Sequence, residues 1–360
     1  MGTIFSILFA IFIFSFLIFI HELGHFVCAK LSGVQVNEFA MFMGPAIWKK
    51  QKGETLYSIR CIPLGGYCAM EGEDGDSDNP RSFQKAKWWK RLVILVAGAF
   101  MNFVAGLLLF AIFFGFRPDY QELPQTTISR FESCSSLYGE DKLLPGDRIL
   151  EIDGETVYVM SDFSLILSIN GDQQTHDFLV ERKGREVMIR DMVVQPHTHE
   201  EADGSQYTHY GIAFDTKDRN LFTTLEFAWL NSVDNIRNVR LSLQMLFTGK
   251  AGLSDMSGPV GIVDQMSQVA SASQSIGLAI LNLLYFGAFI AVNLAVMNLL
   301  PIPALDGGRA VALLLTAAIE GITRKKINPK YEGYIHAGGM ILLLLLMAFI
   351  MFKDVIWLFK

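Results

Sequence analysis

Four long apolar stretches, separated by alternating and polar segments, set the pattern of this chain. Thr3 to Lys30, Leu92 to Phe116, Leu278 to Pro303 and Tyr334 to Phe352 each approach the roughly 20 residues a helix needs to cross a bilayer, and predict four spanning helices. Between the first two, apolar and polar residues alternate over Val34 to Met43 and over Thr55 to Ile62, predicting two strands joined by a turn region containing Gly44-Pro45 and Lys49 to Gly53. Residues 117–220 read as a small β-rich module. There Leu144-Pro-Gly-Asp-Arg-Ile-Leu-Glu-Ile-Asp-Gly154 joins a turn, a strand and a second turn, and strands follow at Asp177 to Glu181, Val187 to Val194 and Tyr210 to Asp215. Leu225, Trp229, Val233, Ile236, Val239, Leu243 and Leu246 recur at helical spacing, predicting an amphipathic helix that lies on a membrane or packs against the preceding module. The chain thus divides into 1–116, 117–220, 221–277 and 278–360.

Composition sharpens this picture. With 51% hydrophobic residues, 28 Phe among 360 residues and a mean hydropathy of +0.33, the chain is too apolar for an ordinary soluble enzyme. Lys85, Lys87, Lys90 and Arg91 precede the second span, and Arg324, Lys325, Lys326 and Lys330 separate the third from the fourth. The positive-inside bias puts both connections in the cytoplasm and residues 117–277 outside, with Lys353 and Lys360 against the trend. No Lys or Arg precedes the first span and no small-residue cleavage site follows it, so a retained helix is expected rather than a removed signal peptide. The net charge of −6 argues against a nucleic-acid partner. Cys28, Cys61 and Cys68 fall on the reducing side or in the membrane and Cys134 alone outside, which leaves no disulfide framework and reads them as small apolar residues.

Candidate chemistry sits at the end of the first span. His21 and His25 are four apart, so on a helix both imidazoles leave one face at a separation that suits two nitrogen ligands on one zinc ion, with Glu22 beside them as a general base for water. The bland alternative is a polar helix end, but three ionisable residues at membrane depth are costly without a compensating role. A third ligand is needed. A histidine six residues on is absent, since that position is Leu31, and Glu38 lies in a strand-like run. Asp306, in Asn298-Leu-Leu-Pro301-Ile-Pro303-Ala-Leu-Asp306-Gly-Gly308 at the end of the third span, returns to the same side of the membrane as the histidines. Two prolines and two glycines there break helical bonding at a depth where irregular chain must line a cavity, although a helix stop followed by a solvated turn is the alternative.

These two segments together resemble the site-2 protease family of intramembrane zinc metalloproteases, in the bacterial branch that regulates anti-sigma factors. Pro63-Leu-Gly-Gly-Tyr67, Gly98 to Asn102 and Gly258-Pro-Val-Gly-Ile262 resemble further motifs of that family, and Leu144 to Gly154 is similar to the core of a PDZ domain. The resemblance implies a polytopic α-helical membrane protein with four transmembrane helices, a membrane-associated β-hairpin and one inserted PDZ-like α+β domain. It implies that His21, His25 and Asp306 bind one zinc ion, that Glu22 is the catalytic base, and that Asn293, Asn298, Pro301 and Pro303 hold substrate near the metal. Interhelical bonding is the plain alternative for the asparagines.

Expected partners are the lipid bilayer, single-span membrane proteins such as pre-trimmed anti-sigma factors, with remnant signal peptides as a further substrate, and an upstream site-1 type protease that shortens the same substrate. The expected location is the bacterial cytoplasmic membrane, with the PDZ-like domain outside and the active site toward the cytoplasm. An edge strand at Thr55 to Ile62 would capture the unwound substrate by strand addition. Ser133 to Lys142 departs from the usual PDZ approach to its carboxylate loop, leaving peptide binding and size exclusion both open. Ala99 stands where relatives often carry Pro, and Arg309 is read as reaching toward lipid headgroups. His197, His199 and His209, among Glu200, Glu201 and Asp203, read as a surface cluster, and His336 as an interfacial residue. The chief rival function is a catalytically silent PDZ-bearing membrane adaptor; a metal transporter would spread its polar residues over more spans.

Overall fold

Ile4 to Ile20 carries no Pro, Gly or charge, and in lipid such a segment satisfies its backbone only as a helix. In the computed structural model it opens α1 (Thr3–Ser32). The structure describes residues 3–73, 75, 77–133, 135–171, 173, 175–200, 206–252, 258–324 and 330–358; Cys134, Glu201, Asp203, Lys325, Lys326 and Lys360 lie outside these. Two compact units divide the chain, Met1–Phe113 with Asn235–Lys360, and Phe114–Asp234.

α1 ends in a Schellman pair: Gly33, at φ +82°, donates to Lys30 O and Val34 donates to Ala29 O. Ala29 and Val34 then join one buried cluster, so the turn is fixed by packing as well as by hydrogen bonds. In the first unit α2 (Trp88–Phe116), α5 (Pro259–Ser271), α6 (Ile276–Leu299), α7 (Asp306–Thr323) and α8 (Lys330–Leu358) accompany it. Four of these helices, α1, α2, α6 and α8, are long and apolar enough to cross a membrane. The third span stops at Leu299, short of the expected Pro303. Leu300 is forced to ψ 144° by the ring of Pro301, and the helix cannot continue through it. α7 was not anticipated; its buried Gly307, Ala310 and Leu313 recur at helical spacing. α5 starts with Pro at its first position, and the buried Asp354 of α8 accepts the Gly261 N–H at 3.0 Å.

Two long strands connect α1 to α2, β1 (Val36–Lys52) and β2 (Thr55–Met70). The two strands join at Gly53-Glu54, and β1 also reverses its own direction around Gly44-Pro45, where Phe42 and Gly44 take φ +71° and +83°. The strands pair twice. Glu38 to Met41 face Leu56 to Ile59 on one side and Gly66 to Ala69 on the other, while Trp48 to Lys52 cover the far side of Thr55 to Ile59. Thr55 to Ile59 is therefore interior and cannot capture a further strand; the outer edges are Gly66 to Met70 on one side and Trp48 to Lys52 on the other. At the tip, Arg81 and then Lys30 hold the Glu54 carboxylate, at 2.6 and 2.7 Å, and pull its pKa down to about 2.

The second unit contains a sheet in the order β10 (Ile212–Asp218), β3 (Glu122–Phe131), β4 (Arg148–Ile152), β6 (His176–Arg182), β7 (Arg185–Met192), with β5 (Glu155–Thr156) on β4. Asp153-Gly154 and Lys183-Gly184 turn with positive φ at both residues, as tight hairpins require. α3 (Ser161–Ile169) closes a core that includes Ile149, Ile152, Phe163 and Phe178. A small hairpin, β8 (His197–Glu200) with β9 (Gln206–His209), brings His197 opposite His209. α4 (Leu221–Thr248) buries Thr224, Phe227, Ser232 and Asn235 and leaves Leu225, Trp229 and Ile236 of its apolar stripe exposed.

Candidate active site

One turn of α1 separates His21 from His25, and their Nε2 atoms stand 3.1 Å apart. Asp306 Oδ2, from the first turn of α7, lies 3.0 Å from His21 Nε2 and 3.3 Å from His25 Nε2. Zinc bonded at 2.0–2.1 Å to three corners of a tetrahedron would space its ligand atoms about 3.3 Å apart, so this triangle fits the ion. Among the described residues it is the one group of three potential ligands that gathers in this way. His25 is buried, and its Nδ1 contacts Ile94 O at 2.7 Å. Donation there fixes the proton on Nδ1 and leaves Nε2 free for metal.

Close helix approach builds this geometry. A Cβ at Gly24 would stand 2.4 Å from Ala97 O, and one at Gly98 would stand 2.4 Å from His25 Nε2, so α1 and α2 cross through two glycines. Behind Asp306, a Cβ at Gly307 or Gly308 would meet Leu299 O or Ile302 O at 2.3 and 2.2 Å. The chain from Leu300 to Leu305 folds tightly back on the start of α7, which only glycine permits.

That loop is strained at Ala304, whose φ is +81°. His336 of α8 accepts the Ala304 N–H through Nδ1 at 3.1 Å, and Gly339 lets α8 close on Pro303. The expected interfacial role of His336 is thus replaced by a grip on the backbone that presents Asp306. Arg309 likewise does not reach for lipid: it pairs with Glu73, in the segment after β2. The adjacent carboxylate gives the guanidinium a charge-assisted partner within the protein.

Glu22 is half-buried beside the sheet edge, where a Cβ at Gly66 would stand 3.5 Å from Glu22 Cγ. Asn298 is brought to the site, with Nδ2 3.4 Å from His21 Nδ1. Asn293 is on the same helix, its buried Oδ1 without a hydrogen-bond partner among the described residues, while Pro301 is exposed in the loop and Pro303 lies against α8. Asn102, which closes the Gly98 to Asn102 element but received no role from the sequence, also has its Nδ2 3.4 Å from His21 Nδ1. Its spacing of four from Gly98 was the available signal, since both then share the face of α2 that meets the histidines.

The model of peptidase family M50 matches residues 9–346 of this chain. A candidate zinc metalloprotease of Clostridium acetobutylicum is 35% identical, over 99% of this chain and 98% of its own length. A counterpart in Clostridium perfringens is 34% identical, over 98% of each. The regulator of sigma-W protease RasP of Bacillus subtilis is 27% identical, over 96% of this chain and 97% of its own.

Proposed function

The chain belongs to peptidase family M50 and is a zinc metalloprotease of the membrane, and from that premise we propose that it cuts the transmembrane segments of single-span proteins after another protease has shortened them. The observation that carries this reading is the convergence of Asp306, from the first turn of α7, on His21 and His25 of α1, a helix long and apolar enough to cross a bilayer. In this reading those three residues hold zinc and Glu22 is the general base. Bound zinc supplies Lewis acidity, polarising the scissile carbonyl and acidifying water. Glu22 takes a proton from the attacking water and returns it to the leaving amine.

A helical substrate hides its carbonyls in its own hydrogen bonds, so it must unwind. The free edge of Gly66 to Met70 offers backbone partners to the unwound segment next to Glu22, and this supports strand addition there rather than at Thr55 to Ile62. Asn293 and Asn298, with Pro301 and Pro303, line the return of the third span and hold the substrate backbone. The turn-strand-turn run and helix-capped sheet of residues 114–234 support a PDZ-like module, which restricts substrates by the size of their external part. Substrates of the anti-sigma-factor type fit this reading, since the Bacillus relative is a regulator of sigma-W protease. The proposed setting is a bacterial cytoplasmic membrane, with the module outside and the site toward the cytoplasm.

Glu22→Gln tests it. Zinc content of the purified variant should equal that of the wild type while cleavage of a single-span test substrate falls at least about 100-fold. Cleavage at the wild-type rate would remove Glu22 from the mechanism, and a silent adaptor would cut nothing in either form.

A further inference from the structure

We propose that Asn102 is a positioning residue whose carboxamide oxygen accepts the Nδ1–H of His21, fixing the tautomer that leaves His21 Nε2 bare for zinc. This inference rests on the zinc reading above.

His21 has one nitrogen turned to His25 and Asp306 and the other turned to two amides, those of Asn102 and Asn298, each with Nδ2 3.4 Å from His21 Nδ1. Two amide donors on one nitrogen suit a ring that carries its proton on Nε2. Zinc on Nε2 demands the opposite tautomer, because the lone pair must face the metal and the proton must move to Nδ1. An Nδ1–H cannot face two N–H donors. At least one of the amides must therefore present oxygen when the site is loaded.

Burial decides which. Asn102 is 1% exposed, and its Oδ1 has no hydrogen-bond partner among the described residues, so turning the amide by half a revolution breaks no bond at that oxygen. An unpaired acceptor becomes an unpaired donor, and the contact with His21 changes from repulsive to attractive. Asn298 is half-buried at the end of α6, where the chain leaves the helix, so it can turn away toward a substrate backbone. The two asparagines thus divide the work: Asn102 holds the ligand and Asn298 is released for substrate. His25 follows the same rule with Ile94 O in the acceptor role, so both imidazoles are oriented from α2. Gly98, one turn earlier on that helix, allows the approach that puts Asn102 in reach.

The experiment measures zinc dissociation constants by chelator competition on the full-length protein in detergent, all variants carrying Glu22→Gln to prevent self-cleavage. Asn102→Leu keeps the side-chain volume and removes the acceptor, and zinc affinity should fall 10- to 100-fold. Asn102→Asp restores an acceptor of the same shape and should return affinity to within about threefold of the parent, a rescue that a packing role would not give. Asn298→Leu should leave zinc affinity unchanged and, with Glu22 intact, lower the cleavage rate. Thermal unfolding of each metal-free form verifies folding, and Asn102→Ala replaces Asn102→Leu if the latter does not assemble. Parent-like affinity in both the Leu and Ala variants would overturn the inference while leaving the zinc site standing. Loss of affinity that Asp fails to restore would overturn it equally. Failure of the parent itself to bind one zinc, or undiminished binding in His21→Ala, would instead bring down the reading on which it rests.

Discussion

Adding one methyl at Gly98 should cost the protein its metal before it costs its fold. The new Cβ would lie 2.4 Å from His25 Nε2 and 2.8 Å from His21 Nε2, where ordinary contact begins at 3.4 Å. Either α2 retreats by about 1 Å or both imidazoles swing away, and each course separates the ligand atoms. Helix propensity favours Ala over Gly by about 1 kcal/mol and overpacking costs about 1–3 kcal/mol, so the net loss of stability should stay below about 2 kcal/mol. Ligand geometry has no such compensation. A misplacement of this size should lower cleavage about 100-fold and weaken zinc binding at least tenfold. Gly106→Ala is the matched control: its Cβ would press on Val292 Cγ2 at 2.6 Å, equally tight but away from the ligands. Chelator competition and cleavage of a single-span substrate, run on both variants, separate the outcomes. Wild-type zinc affinity in Gly98→Ala, or an equal loss in Gly106→Ala, would refute the argument from proximity.

Other consequences follow from single contacts. His336→Leu removes the acceptor that steadies Ala304 at φ +81°, and cleavage should drop about tenfold; adding Ala304→Gly, which relieves the left-handed strain, should recover part of it, whereas no recovery would dissociate the strain from the defect. Trp229, 51% exposed on the apolar stripe of α4, should be quenched by brominated lipid in vesicles, read as the difference from Trp229→Phe; equal quenching would place that stripe away from lipid. Glu54 titrates near 2 in the folded chain against about 4.3 unfolded, so its bridge supports the hairpin tip above about pH 4.3 and is lost as pH falls through 2. Carboxyl titration by NMR should show the midpoint rising in Arg81→Gln, and an unmoved midpoint would discount the ion pair.

Much of this architecture was legible because hydrophobic length and local chemistry are written in neighbouring residues. The apolar runs marked the helices now seen at α1, α2, α6 and α8, and the four-residue spacing of His21 and His25 placed two nitrogens on one face. Asp306 was reached through topology, as two prolines and two glycines at membrane depth need a cavity to line. What stayed hidden depends on which elements meet. Thr55 to Ile62 alternates as an edge strand would, yet β1 bends back so that both of its halves cover it. Arg309 looks lipid-seeking until Glu73, 236 positions away in the chain, stands against it. α4 buries Ser232, Asn235 and Arg237 beside Phe227 and Leu241 while Leu225, Trp229 and Ile236 stay exposed, a mixture that leaves the same periodicity as an ordinary packed helix.

The contacts that were least legible are also those that couple the metal site to the fold. Asp306 reaches the histidines only while the Leu300–Leu305 loop stays folded, and that loop is held by His336 and by the approach of Gly339 of α8 to Pro303. His21 and His25 are oriented from α2 through Asn102 and Ile94. Each ligand thus depends on a helix other than its own, and an ion that binds the assembled triangle must favour the assembled helices by the same free energy. Zinc loading should therefore raise the unfolding temperature of the first unit. The increment should shrink when the α8 contact is cut in His336→Leu, even though that residue touches no ligand. An equal increment in both proteins would show that the loop stays folded without α8.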